Sequence, residues 1–332
     1  MNIIIFALAL IGLLISSKIQ FNRNRKTYTC PIGSSCKEVL TSKYSKTFGL
    51  SNDVCGIIYF SLVAAIYSFT LFDLELGVEL RTFAIALTTG AFLFSLYLTF
   101  IQLFQIKKWC TWCLFTAATS TAIFVLVVLS SMPYQYDILE VLISQRGLMT
   151  VIYSLGFAIG LGATTVSHMF FFRFLKDYKI TKKEAKLLHY QAQVIWLAIG
   201  MITLSGAGLL LTNFSQTINS PTAVLQLIVI VVLIISETII TLLISPSMFD
   251  LSSKRKDFMD SLHLYRKKAF AFSGISLVSW YLSFLLNYIP GISMSLENHL
   301  FLYIGLIVVV LMISQIIEQE LLYRHLREES KK

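Results

Sequence analysis

Long apolar runs recur along this chain between short polar breaks, at residues 3–17, 54–73, 82–106, 111–131, 149–172, 192–212, 223–245, 268–289 and 298–317. A bilayer accepts such runs as helices, because a helix satisfies its own backbone hydrogen bonds where no water can. The period-two alternation of a barrel strand is missing. The pattern therefore predicts an all-α polytopic membrane protein with about nine transmembrane helices. The first run is short, but no basic residue precedes it and no small-x-small site follows, so it reads as a span and not as a secretory signal. Ser51-Asn52-Asp53 suits the N-cap of the second span. Residues 37–47, polar throughout, suggest a short surface helix. The break at Tyr134 to Ser144 is a short amphipathic stretch carrying Asp137 and Glu140.

Composition agrees, with 56% apolar and 14% charged residues. The net charge of +9 at first invites a nucleic-acid partner, but its distribution points elsewhere. With nine spans the polar breaks fall on two sides. Twenty-five of the 27 Lys and Arg residues fall on one of them, and only Arg81 and Arg146 on the other. The positive-inside rule reads this as topology, with no nucleic acid required: the basic side and the C-terminus face the cytoplasm and the N-terminus lies outside.

Four of the five cysteines lie on that basic side. Cys30-Pro-Ile-Gly-Ser-Ser-Cys36 contains two turn formers, which places its cysteines on a loop. Trp109-Cys110-Thr111-Trp112-Cys113 stands at the mouth of the fourth run. Positions i and i+3 share one helix face, and a helix N-terminus lowers a thiol pKa, so Cys110 and Cys113 are placed for redox work. Three readings remain open: a thiol relay from loop pair to helix pair, a structural zinc site on four cysteines, and inert packing. A zinc ribbon prefers both pairs on turns, whereas one pair here opens a membrane helix. Cys55, just inside the second span, reads as a small buried apolar residue.

The order Cys30-x5-Cys36, Lys-Glu-Val-Leu-Thr-Ser42, Phe48-Gly49-Leu50, Gly56-Ile-Ile-Tyr59 and Trp-Cys-Thr-Trp-Cys resembles the vitamin K epoxide reductase family over about residues 1–131. The resemblance implies an N-terminal four-helix bundle that holds a quinone of menaquinone or ubiquinone type as co-substrate, with no metal. It implies that Cys30 meets a thioredoxin-like partner, that Cys36 exchanges with Cys110, and that Cys113 faces the quinone. Ser42 matches a family hydroxyl position beside the site, and Asn52 the quinone-binding asparagine of the animal enzymes. Trp112 and Phe115 could wall the quinone, although interfacial aromatics also serve as anchors. Where animal members carry a tyrosine, four residues after the second helix cysteine, this chain has Ala117, which favours a plain quinone over the epoxide. No stretch of this sequence reads as the fused thioredoxin-like domain of many bacterial members, so the partner is expected to act in trans. Better-known bacterial relatives hold these cysteines outside the cytoplasm, where disulfides persist, which is the alternative to the cytoplasmic face indicated by charge.

Residues 132–147 read as a linker, and 148–332 as a second, five-helix membrane domain without cysteines. Gly156 and Gly160 have the spacing of close helix contact. His168 and His189 bracket a basic loop, and read as interfacial histidines ahead of a paired metal or haem site. Glu237, in Ile-Ile-Ser-Glu-Thr-Ile-Ile, is an intramembrane carboxylate and a functional candidate by default. The sequence thus reads as a quinone-coupled thiol–disulfide oxidoreductase that drives disulfide formation. The alternative is a zinc-stapled scaffold or transporter whose function lies in the second half.

Overall fold

The computed structural model describes residues 1–25, 27, 30, 35–72, 76–175, 182–244, 258–288 and 294–329. Among them, eight helices are long and apolar enough to cross a membrane. The ninth expected span is α3 (Asn52–Ser68), which is only 17 residues long. At 1.5 Å per residue it reaches about 26 Å, a little short of the ~30 Å hydrocarbon layer. One 3₁₀ turn, Phe69–Phe72, extends it.

The chain divides into two compact units, Met1–Gly147 and Leu148–Lys332. In the first, α1 (Asn2–Asn24), α3, α4 (Val78–Ile101) and α5 (Thr111–Ser131) form a ring: α1 touches α3 and α5, and α4 touches the same two. Its core is Ile5, Ala9, Phe60, Val63, Tyr67, Ile123 and Val127. Glycines let α1 and α3 approach. A Cβ on Gly12 would run into the Phe60 ring, and one on Gly56 would stand 2.9 Å from Ser16 Oγ. At the end of the bundle away from the cysteines, buried Arg81 donates from Nε to the Leu76 carbonyl and stacks 4.0 Å from the Tyr134 ring. The amphipathic stretch forms α6 (Gln135–Ser144), which packs on α4 as part of this unit.

The polar segment between the first two spans departs from the expected surface helix. It forms α2 (Cys36–Leu40), a 3₁₀ turn at Lys43–Ser45, and a hairpin of β1 (Lys46–Thr47) and β2 (Leu50–Ser51). Phe48 and Gly49, at φ 50° and 84°, make a two-residue loop with both φ positive, the geometry that follows the strand twist. Cys36, expected on a loop, is instead the first residue of α2, because the turn formers Pro31 and Gly33 precede the point where Lys37-Glu38-Val39-Leu40 can coil.

The second unit holds α7 (Arg146–Leu175), α8 (Lys182–Thr212), the short α9 (Phe214–Ile218), α10 (Pro221–Thr238), α11 (Phe258–Tyr288) and α12 (Leu296–Glu329). Phe157, Ile199, Ile202, Leu233 and Trp280 close its core. Gly156 lies against Ile202 and the Ala198 carbonyl, and Gly160 lies against the Trp280 ring, so the spaced pair makes close contacts on two different helices.

Candidate active site

Antiparallel packing returns the C-termini of α1 and α4 and the N-termini of α3 and α5 to one end of the bundle. The cysteines gather there. Helix α4 does not stop cleanly: Gln102–Ile106 continue as a π-helical turn, and Lys107 takes a left-handed conformation at φ 52°. Such turns commonly mark functional positions. Here the widened turn lets the Gln102 carbonyl accept from the Lys108 N–H at 3.3 Å, and lets Gln102 Oε1 accept from the Cys110 N–H at 3.0 Å. Cys110, in extended conformation, is the N-cap of α5, and its carbonyl accepts from the Leu114 N–H. Cys113 follows in the first turn, as the spacing requires.

The four sulfurs form a chain. Cys30 and Cys36 are joined in a disulfide, with Cα atoms 6.1 Å apart. Cys110 Sγ lies 3.4 Å from Cys36 Sγ, in van der Waals contact across 74 residues of sequence. The Cys113 thiol donates to Cys110 Sγ. That hydrogen bond, helped by the N–H groups of Cys113 and Trp112, holds the Cys110 thiol below its usual pKa against the opposing effect of burial. Cys36 and Cys110 are both buried, in an apolar nest with Ile19, Val39 and Leu40. Water is thus kept from the point of exchange.

Beside the sulfurs, Arg23 Nη2 is 2.7 Å from Asp53 Oδ1, joining the end of α1 to the start of α3. Both charges lie within electrostatic reach of Cys113. Neither this pair nor Gln102 was singled out by the sequence. The only signals were a glutamine inside an apolar run and an Asp and an Arg thirty residues apart at span ends.

The other expected site residues are placed as follows. Ser42 Oγ donates to the carbonyl of Val39, a wall of the sulfur nest. Asn52 Nδ2 donates to the Tyr44 carbonyl, while its Oδ1 accepts from Thr47 Oγ1, so its amide braces the hairpin. Trp112 packs into the nest, with Lys18 Nζ 4.4 Å from its ring centre. Phe115, one turn on, is half exposed, its ring centroid 6.3 Å from that of Trp112. Among the described residues, no three His, Cys, Asp or Glu side chains cluster as a metal site would need. Glu237 lies in the second unit, buried, and accepts from Ser276 Oγ and from Trp280 Nε1 on α11. His168 bonds through Nδ1 to the Thr164 carbonyl at 2.7 Å, and His189 bonds through Nε2 to Gln193 at 3.2 Å.

Comparison with known families bears on the segment that holds these sulfurs. Residues 3–128 match the model of the Vitamin K epoxide reductase family. The matched segment contains all five cysteines and ends within α5, and it supports a membrane thiol oxidoreductase in the first unit. No curated protein and no solved structure matches the chain.

Proposed function

We propose that the first unit is a quinone-coupled thiol oxidase that makes disulfides in a thioredoxin-like partner acting in trans. The observation that carries this reading is the contact of Cys110 Sγ with Cys36 Sγ while Cys36 is bonded to Cys30. Starting from an oxidised Cys110–Cys113 pair, the Cys36 thiolate attacks Cys110 Sγ, and Cys113 leaves and takes up a proton. Cys30 then attacks Cys36, and Cys110 leaves as a thiolate. The lowered pKa of Cys110 favours that departure, since a lower leaving-group pKa speeds exchange. The product has a Cys30–Cys36 disulfide and a reduced helix pair, and the bonded Cys30–Cys36 beside free Cys110 and Cys113 supports this reading. Two partner thiols then reduce Cys30–Cys36 and become a disulfide. The quinone takes two electrons and two protons from Cys110 and Cys113 and leaves as hydroquinone, which completes the balance.

In this reading Trp112 and Phe115 wall the quinone, Asn52 and Ser42 position the loop beside it, and residues 1–131 carry the reaction. Ala117 supports a plain quinone of menaquinone or ubiquinone type. The charge asymmetry supports a cytoplasmic cysteine face. The test is a trap: Cys30→Ser removes the resolving thiol, so the Cys36–Cys110 disulfide accumulates when quinone is added, and peptide mass spectrometry detects it. Absence of that bond, with Cys110–Cys113 forming normally, contradicts the relay.

A further inference from the structure

Helix α11 carries serines at 273, 276, 279 and 283, all buried, and Asn287 follows one turn later. Steps of three and four keep them on one face, over about 21 Å of helix. At each level another helix offers a polar group. Beside Ser273, whose backbone interacts with the His168 ring, stands α7. Ser276 donates to Glu237 of α10, which also accepts from Trp280. Ser279 donates to the Ile275 carbonyl and therefore accepts from Tyr303 OH of α12, at 2.8 Å. The pairs Ser279–Tyr303 and Lys267–Gln315 fix the antiparallel register of α11 on α12, and that register sets Ser283 opposite His299. Gln226 of α10 donates to Tyr153 OH of α7 at 3.3 Å, and Asn287 also interacts with Tyr153, at the exposed end of the row.

Several of these groups are not satisfied by protein. His299 is 1% exposed, yet neither ring nitrogen has a partner among the described residues. The same holds for Ser283 Oγ, Gln226 Oε1 and Thr164 Oγ1. Leaving buried polar groups unpaired is costly, and an apolar side chain would avoid that cost. The π-helical turn Ile239–Ile244 begins two residues after Glu237, and such turns concentrate at functional positions. A packing seam needs none of this: leucine and alanine would fill it. Carboxylate, imidazole, phenol and hydroxyl groups in series are the chemistry of proton relays inside membranes.

We propose that this row is a proton-conducting track through the second unit, with Glu237 as its central carrier and His168 and His299 on either side along α11. Each hop passes one proton from an O–H or N–H to the next lone pair, directly where Ser276 meets Glu237 and Ser279 meets Tyr303 and through water where Ser283 and His299 lack a protein partner, and nothing is oxidised or reduced. Besides Glu237, the titratable groups along the row are His168 and Tyr153 from α7 and Tyr303 and His299 from α12. Trp196 of α8, bonded to Thr241 Oγ1 at 3.4 Å, adds a polar but non-titrating neighbour.

The test uses the full chain in phosphatidylcholine–phosphatidylglycerol vesicles enclosing a pH-sensitive dye. A potassium diffusion potential set by valinomycin drives protons. Wild-type protein is expected to acidify the lumen faster than protein-free vesicles do. Glu237→Gln and, separately, His168→Asn are expected to return the rate to the protein-free level while each variant still unfolds cooperatively at the wild-type temperature. Wild-type flux equal to that of empty vesicles overturns the proposal, as does unchanged flux in either folded variant. Thiol oxidation is measured on the same vesicles, so failure of the redox reading is seen separately.

Discussion

At the scale of single residues, the site turns on which sulfur carries charge. Cys110 is the acidic member of its pair because the Cys113 S–H donates to it, with backbone amides assisting. Removing that donor in Cys113→Ala leaves burial unopposed by it, so the Cys110 pKa rises. The expected outcome is that the pH midpoint of the thiolate ultraviolet absorbance, measured in a Cys55→Ala background, moves to higher pH; below the new midpoint the variant carries less thiolate than the protein with Cys113. An unmoved midpoint would mean that the helix terminus alone sets the charge. The sequence marked this pair as a redox candidate because Cys-x-x-Cys opens a membrane helix just after Lys107-Lys108, with zinc and packing left as alternatives. Gln102 and the Arg23–Asp53 pair were not readable. Their roles depend on which helix faces meet, and pairings that distant leave no local pattern.

At the scale of elements, apolar runs marked the helices well, since burial in lipid needs only length and hydrophobicity. They did not mark how the helices end. The π turn after Ile101 and the hairpin around Phe48-Gly49 are both held by side-chain bonds between residues five to eight positions apart, those of Gln102 to Cys110 and of Asn52 to Tyr44 and Thr47, which no hydropathy pattern records. Close packing of α1 on α3 was likewise hidden, although the glycines that allow it stand in plain view. Gly12→Ala puts a methyl into the buried Phe60 ring, and overpacking of this kind costs about 1–3 kcal/mol. Gly90→Ala, in a position with no atom within 4 Å of the new Cβ, gains helix propensity of up to about 1 kcal/mol. Thermal unfolding of the purified protein is expected to shift down for the first and to hold or rise for the second. Equal shifts would contradict the α1–α3 contact.

At the scale of the whole molecule, the chain joins a redox unit to a second membrane unit built around a buried polar row. In that row the sequence singled out Glu237 and, as an interfacial histidine, His168; serines and tyrosines are unremarkable until a register lines them up. The distribution of positive charge makes a separate prediction about orientation. A C-terminal fusion to green fluorescent protein is expected to fluoresce, and one to alkaline phosphatase is expected to be inactive; the reverse pattern would put the basic side, and the cysteines with it, outside the cytoplasm. The central claim is the relay itself. It is tested most directly by mixing purified protein with a reduced thioredoxin-like protein and a short-chain quinone and following quinone reduction. Wild type is predicted to oxidise the thiol only when quinone is present, and Cys36→Ala and Cys113→Ala are each predicted to abolish that turnover. Quinone-dependent oxidation that survives both substitutions would contradict the account.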